Sequence, residues 1–176
     1  TFTNLVGSET LAVTGSGSVS SENVGTGKSV TLGTLDLANG SGSASNYSLS
    51  SANFSITQRP LTIVGSKIYD GTTTVNGSTL TLTNLVSGEA VSLTGSGSVA
   101  SAAVGDNKTV STGSLALTGA GSGNYTLSNY TTSFEIFQRP LSLSGSRVYD
   151  GSTNAVASDL SLSNLVSGET LSLSGT

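Results

Sequence analysis

The chain has 176 residues, six cationic and ten acidic, for a net charge of −4, with 9% of residues charged and 35% hydrophobic. The Lys and Arg residues are scattered without a run or stripe, which argues against a phosphate-binding surface for nucleic acid or docking on an anionic membrane. No apolar stretch approaches the roughly 18 residues of a membrane span, and His and Cys are absent, which removes the commonest general base, the thiol nucleophile, disulfides and the usual zinc and copper ligands.

Along the chain the same words return every 80 residues. Residues 1–58 form a partial first copy that lacks an opening strand. It runs from Asn4-Leu5-Val6-Gly7-Ser8-Glu9 through Val24-Gly25-Thr26-Gly27-Lys28 to Asn46-Tyr47 and Phe54. Residues 59–138 form one complete copy. It opens on Arg59-Pro60-Leu61 after Gln58, passes Tyr69-Asp70-Gly71, Asn84-Leu85-Val86-Ser87-Gly88-Glu89 and Val104-Gly105-Asp106-Asn107-Lys108, and closes on Asn124-Tyr125 and Phe134. Residues 139–176 hold opening strands only, with Arg139-Pro140-Leu141, Tyr149-Asp150-Gly151 and Asn164-Leu165-Val166-Ser167-Gly168-Glu169. A period of 80 is too long for one rung of a solenoid or one helical repeat; it fits small independent domains in series.

Within the complete copy the hydrophobic period is two. Leu61/Ile63, Leu80/Leu82, Val91/Leu93, Leu115/Leu117 and Phe134/Ile136 alternate with polar or small residues, so one row faces a core and the other water. The pattern predicts strands at 60–69 (either continuous or broken at Gly65-Ser66), 79–83, 90–99, 108–112, 114–118, 124–128 and 132–138. Six or seven short strands in a copy predict an all-β chain of tandem small antiparallel β-sandwich domains, Ig-like and arranged as an extended array. Tyr69-Asp70-Gly71 reads as a tight turn in which Gly takes positive φ and Asp bonds its own backbone. At the joints, Arg59-Pro60 and Arg139-Pro140 leave almost no linker. Proline fixes its own φ and holds the preceding Arg extended, which predicts a stiff connection.

Chemical candidates weaken when the copies are compared. Glycoside hydrolysis needs two facing carboxylates, but the recurrent acids Asp70/Asp150 and Glu9/Glu89/Glu169 lie beside turn glycines, where acids cap backbone. A calcium loop needs several convergent oxygens; Asp106 becomes Thr26 in the first copy, and turn capping is the stronger reading of Asp70 and Asp150. A Lys67–Glu135 isopeptide does not recur, because Lys67 becomes Arg147 and Glu135 becomes Ser55. The sequence therefore predicts no enzyme, no cofactor and no metal. Its recurrent residues Arg59, Pro60, Tyr69, Asp70, Gly71, Arg139, Pro140, Tyr149, Asp150 and Gly151 are read as structural.

Taken in order, Arg-Pro-Leu, Tyr-Asp-Gly, Leu-Val-Ser-Gly-Glu, Gly-Asn-Tyr-Thr-Leu and a strand closing on Gln-Arg-Pro make the chain resemble, over essentially its whole length, the YDG/MBG-type repeats of long bacterial surface proteins, including filamentous-haemagglutinin-like adhesins. The resemblance implies an exported stalk at the bacterial cell surface or a secreted equivalent, projecting a distal binding head and supporting adhesion or biofilm. Neighbouring repeats of the same chain are its expected partners, with no nucleic acid and no membrane insertion. Two alternatives stand beside it: a multivalent module in which each copy binds surface glycan or matrix weakly, and a filament in which other copies of the chain complement the partial ends by strand addition.

Overall fold

A computed structural model describes residues 2, 4–50 and 53–174. Among these there is no α-helix; strands alternate with turns and four short 3-10 segments at 44–46, 77–79, 122–124 and 157–159. The protein is all-β and is built from several small antiparallel sheets. It divides into two compact units, one comprising Thr1–Arg59 with Gly123–Thr126, the other Pro60–Ser122 with Leu127–Thr176.

The first unit contains β1 (Leu11–Thr14), β2 (Ser18–Val19), β3 (Gly25–Thr31), β4 (Asp36–Asn39) and β5 (Asn53–Ile56). Strands β1 and β4 pair antiparallel, and β2-β3-β5 form a second sheet. No described residue between 1 and 59 is among the buried hydrophobic side chains.

The second unit carries the core. In chain order its strands are β6 (Arg59–Ile68), β7 (Thr74–Asn76), β8 (Leu80–Leu82), β9 (Ser92–Thr94), β10 (Ser96–Val99), β11 (Gly105–Lys108), β12 (Val110–Ser111), β13 (Ala116–Thr118), β14 (Tyr125–Phe137), β15 (Ser142–Gly145) and β16 (Leu160–Ser163). The sheets run β11-β14-β6-β8, β12-β10-β7, β13-β9 and β15-β16. Leu61 and Ile63 of β6, Phe134 and Ile136 of β14, Val75 of β7 and Val110 of β12 are the most deeply buried side chains. They alternate with Thr62, Glu135 and other residues that are only partly buried, which is the period-two pattern expressed as inward and outward rows. Each fully buried aliphatic or aromatic side chain contributes on the order of 1.5–3 kcal/mol.

One choice and three departures among the predicted strands have physical causes. Of the two alternatives for 60–69, the break at Gly65-Ser66 does not occur, because Gly65 pairs with Leu80 and the ladder carries β6 through. The expected strand 90–99 turns a corner at Gly95, whose φ is +79° and where a Cβ would lie 2.2 Å from the Ser114 carbonyl oxygen; the two halves join different sheets. The two strands expected at 124–128 and 132–138 are one, β14, which continues through Asn129 at a φ of +55°. Strand β7 escaped the pattern because Thr-Val-Asn offers a single apolar residue, yet Val75 is 1% exposed.

The copies share one frame. Val13↔Leu37, Ser18↔Thr31 and Lys28↔Phe54 in the first copy are matched by Leu93↔Leu117, Ser98↔Ser111 and Lys108↔Phe134 in the second. Even the irregularity in the β3–β5 ladder between Gly25 and Lys28 returns between Gly105 and Lys108. The third copy keeps the opening register, with Leu143↔Leu162 standing where the second has Ile63↔Leu82.

Candidate functional site: the joint between copies

The Tyr-Asp-Gly turn is held from inside its own copy. Gly71 has a φ of +76°, a conformation that suits glycine. Asp70 Oδ1 accepts from the Thr72 backbone N–H at 2.9 Å and the Thr72 hydroxyl at 2.9 Å. Lys67 Nζ donates to Asp70 Oδ1 at 2.8 Å and to the carbonyl oxygens of Thr72 and Thr74 at 2.8 and 2.9 Å. Partial desolvation pushes the Asp70 carboxyl up, but the Lys67 ammonium and the two Thr72 donors outweigh it and hold the group below its ordinary value. Lys67 spends its ammonium on these oxygen acceptors and acts as a clasp on the turn.

The third copy builds the same clasp with different chemistry. Arg147 donates to the Ser152 hydroxyl at 2.9 Å and to the carbonyl oxygens of Ser152 and Asn154. Asp150 Oδ1 accepts from the Ser152 N–H at 2.9 Å and lies 3.4 Å from Arg147 Nη2. Lys67→Arg is accordingly expected to be nearly silent, whereas Lys67→Ala should cost about 1–2 kcal/mol, a value kept low because Asp70 is half-exposed. Denaturant titration of the two variants checks this. Because the folded-state acidity of Asp70 is increased, its share of stability is present above the unfolded carboxyl value and is lost as pH falls through the lower folded one. Asp70→Asn should therefore flatten the acid limb of the stability profile; an unchanged limb would refute the clasp.

From the other side, the Asn-Leu-Val-Ser-Gly-Glu loop grips the Arg-Pro-Leu strand. Asn164 Nδ2 donates to the Pro140 carbonyl at 2.9 Å, and Asn84 Nδ2 does the same to Pro60 at 2.9 Å. Asn84 Oδ1 also accepts from the Thr62 N–H at 2.8 Å. In all three copies the loop closes the same turn, with the glutamate N–H bonded to the valine carbonyl at Glu9–Val6, Glu89–Val86 and Glu169–Val166.

These two elements meet where the second copy passes into the third. Arg139 Nε and Nη2 donate to the Asn164 carbonyl and Oδ1, at 2.5 and 2.7 Å, and Nη1 reaches the Tyr69 carbonyl at 3.4 Å. The Tyr69 N–H donates to the Phe137 carbonyl at 2.9 Å. The Tyr69 hydroxyl donates to the Glu169 carboxylate. A Cβ on Gly71 would lie 2.9 Å from Val166 Cγ1. Tyr69, Val104, Arg139, Leu165, Val166 and Glu169 frame an open groove of about 370 Å³. Tyr69 is half-buried, whereas Tyr149, at the same position of the third copy, is 93% exposed.

The hydrogen bond to Glu169 is the chief reason the Tyr69 phenol is pushed above its ordinary value, and that carboxylate's charge adds to it. A raised folded-state value means the contact stabilises below the unfolded phenol value and is lost as pH rises through the folded one. Ultraviolet titration of the phenols should show one late-ionising group disappear in Tyr69→Phe; loss of a group that ionises at the ordinary value would contradict the contact. In the first copy the corresponding glutamate, Glu9, accepts from Tyr47 instead, so one acid position serves tyrosines of two different motifs.

Of the recurrent residues, the structure brings Tyr69, Gly71, Arg139 and Pro140 to this joint and Asp70 to its supporting turn. Asp150 and Gly151 form the equivalent turn of the third copy. Arg59 is exposed at the head of β6, and Pro60 supplies the carbonyl held by Asn84. Sequence reasoning missed Asn84, Asn164 and Glu169 as partners of these motifs, although their recurrence at fixed spacing was a signal. It also missed Asn124, which clusters with the first unit. Asn124 Oδ1 accepts from the Val24 N–H at 2.9 Å and its Nδ2 donates to Asn23 at 3.0 Å. Val24 and Val104, the valines of one recurrent loop, thus each sit where copies meet. Among the described residues no three acidic side chains converge as a metal site.

A family model described as the YDG domain matches residues 1–54 and 57–133. No curated protein and no solved structure matches the chain.

Proposed function

The chain belongs to the YDG domain family, and on that premise we propose that it is a length of stalk from an exported bacterial surface adhesin, a tandem array of small Ig-like sandwich domains that projects a distal binding head. The observation that carries this reading is the joint: the motifs that recur, Tyr-Asp-Gly, Arg-Pro-Leu and Asn-Leu-Val-Ser-Gly-Glu, spend their side chains on turns and on the contact between one copy and the next. Selection for a ligand would preserve a side-chain constellation on an open face; selection for a spacer would preserve the joints. A chain stabilised by its copies and by nearest-neighbour contacts behaves as a quasi-one-dimensional array. No reaction is part of this proposal.

Two measurements test it. Antibodies raised against the chain should label intact cells that produce the full-length protein, and labelling only after lysis would place the protein elsewhere. Small-angle scattering extrapolated to zero concentration should give an elongated particle, and Arg139→Ala should broaden its distance distribution without unfolding the copies. A compact particle, or a distribution indifferent to Arg139, would refute the spacer.

A further inference from the structure

We propose that the complete copy is a force-bearing clamp: tension drawn along the chain shears the seam between its first and last strands, β6 and β14, instead of peeling it open. The inference concerns mechanics and holds wherever the protein resides, so it stands or falls apart from the stalk reading.

The two strands run in the same direction. They are hydrogen-bonded neighbours in the sheet β11-β14-β6-β8. The Thr131 hydroxyl donates to the Thr62 hydroxyl at 3.1 Å. A Cβ on Gly65 would lie 3.2 Å from Phe134 Cδ2, and the Tyr69 N–H donates to the Phe137 carbonyl at 2.9 Å. Thr62, Gly65 and Tyr69 thus meet Thr131, Phe134 and Phe137 in the same order, which only parallel strands allow. The pairs on either side, β11–β14 and β6–β8, are antiparallel, so the parallel seam lies inside the sheet and not at its edge. Its inward side chains Leu61, Ile63, Phe134 and Ile136 belong to the core.

The chain enters this copy at Arg59, the start of β6, and leaves it after Phe137, the end of β14. In a parallel pair those two points lie at opposite ends of the seam. A pull on both slides one strand past the other along their common axis. The hydrogen bonds of the seam then share the load and give way together, whereas a pull on two adjacent strand ends opens them one at a time. Sliding also displaces buried side chains within a close-packed interior, which resists it. Both ends of β6 are fastened further. At the entry, Asn84 accepts from the Thr62 N–H at 2.8 Å and donates to the Pro60 carbonyl at 2.9 Å. At the exit, Arg139 Nη1 reaches the Tyr69 carbonyl at 3.4 Å. The recurrent Arg-Pro-Leu and Tyr-Asp-Gly motifs therefore mark the two ends of the strand that takes the load.

Single-molecule force spectroscopy of the full 176-residue chain, which has no cysteine of its own, tests this with two pairs of introduced attachment points. Thr57→Cys with Gln138→Cys pulls along the seam. Ser66→Cys with Gln138→Cys pulls across its exit end. All three positions are exposed, and residues outside each pair hang unloaded. At one constant force the copy should survive about 100-fold longer when pulled along the seam, because several more hydrogen bonds must break in one event and forced unfolding follows the unfolding rate. Along the seam it should open in a single step of about 250 Å, the extended length of residues 57–138 less their folded span. If Ser66→Cys alters the circular dichroism spectrum, Ile68→Cys, 52% exposed at the same end of β6, takes its place. The labelling of intact cells tests the stalk reading by itself and is independent of either lifetime. Equal lifetimes in the two directions, a shorter one along the seam, or opening along the seam in a series of small steps would overturn the clamp.

Discussion

Phe134→Ala should unfold the complete copy at denaturant concentrations the wild type survives, with a loss of about 3–5 kcal/mol. The same change at the same repeat position, Phe54→Ala, should cost less than about 1 kcal/mol. Phe134 is 0% exposed on a strand bonded between β11 and β6, and truncating it leaves a cavity in the core that a hydrogen-bonded ladder closes poorly. Phe54 is 51% exposed and truncating it removes surface. A domain of this size has a total stability of about 5–15 kcal/mol, so the first loss is a large share of it. Urea titration followed by circular dichroism reads both. Equal effects of the two substitutions would mean that the first copy has a closed core of its own.

Gly95→Val is expected to be the second severe change, costing about 3 kcal/mol or more. Two penalties act together. A β-branched residue at a φ of +79° is strained by about 1–3 kcal/mol, and its Cβ would lie 2.2 Å from the Ser114 carbonyl oxygen, so the β9–β10 corner must move. Gly88→Ala separates the two effects. Its φ is +89° but a Cβ there meets nothing within 4 Å, so only the backbone penalty of about 1–2 kcal/mol remains. Thermal unfolding of both variants checks the pair; a harmless Gly95→Val would mean that the corner is loose.

The inward rows were legible in the sequence because alternation records burial directly: Leu61/Ile63 and Phe134/Ile136 lie in the core as their spacing implied. Corners were less legible. Gly65 and Gly95 look alike in sequence, yet Gly65 continues β6 through its pairing with Leu80 while Gly95 breaks a strand, a difference set by partners distant in the chain. Strand β7 was hidden because one valine gives no period. The joint was half legible. The motifs that build it stood out by recurrence, but recurrence does not say which motif touches which. That Tyr69 reaches Glu169 and Arg139 spans Asn164 and Tyr69 depends on the turn that brings the third copy's loop beside the second copy's.

The central claim is that the second copy is held to the third by Tyr69, Arg139, Asn164 and Glu169. The chain has no cysteine, so spin labels placed on Ser78→Cys and Ser158→Cys, exposed and equivalent positions of the second and third copies, report the separation of the copies without interference. Pulsed electron-electron resonance should give one narrow distance distribution, which Tyr69→Phe with Arg139→Ala broadens while circular dichroism stays unchanged. A broad distribution in the wild type, unmoved by the double substitution, would contradict the account.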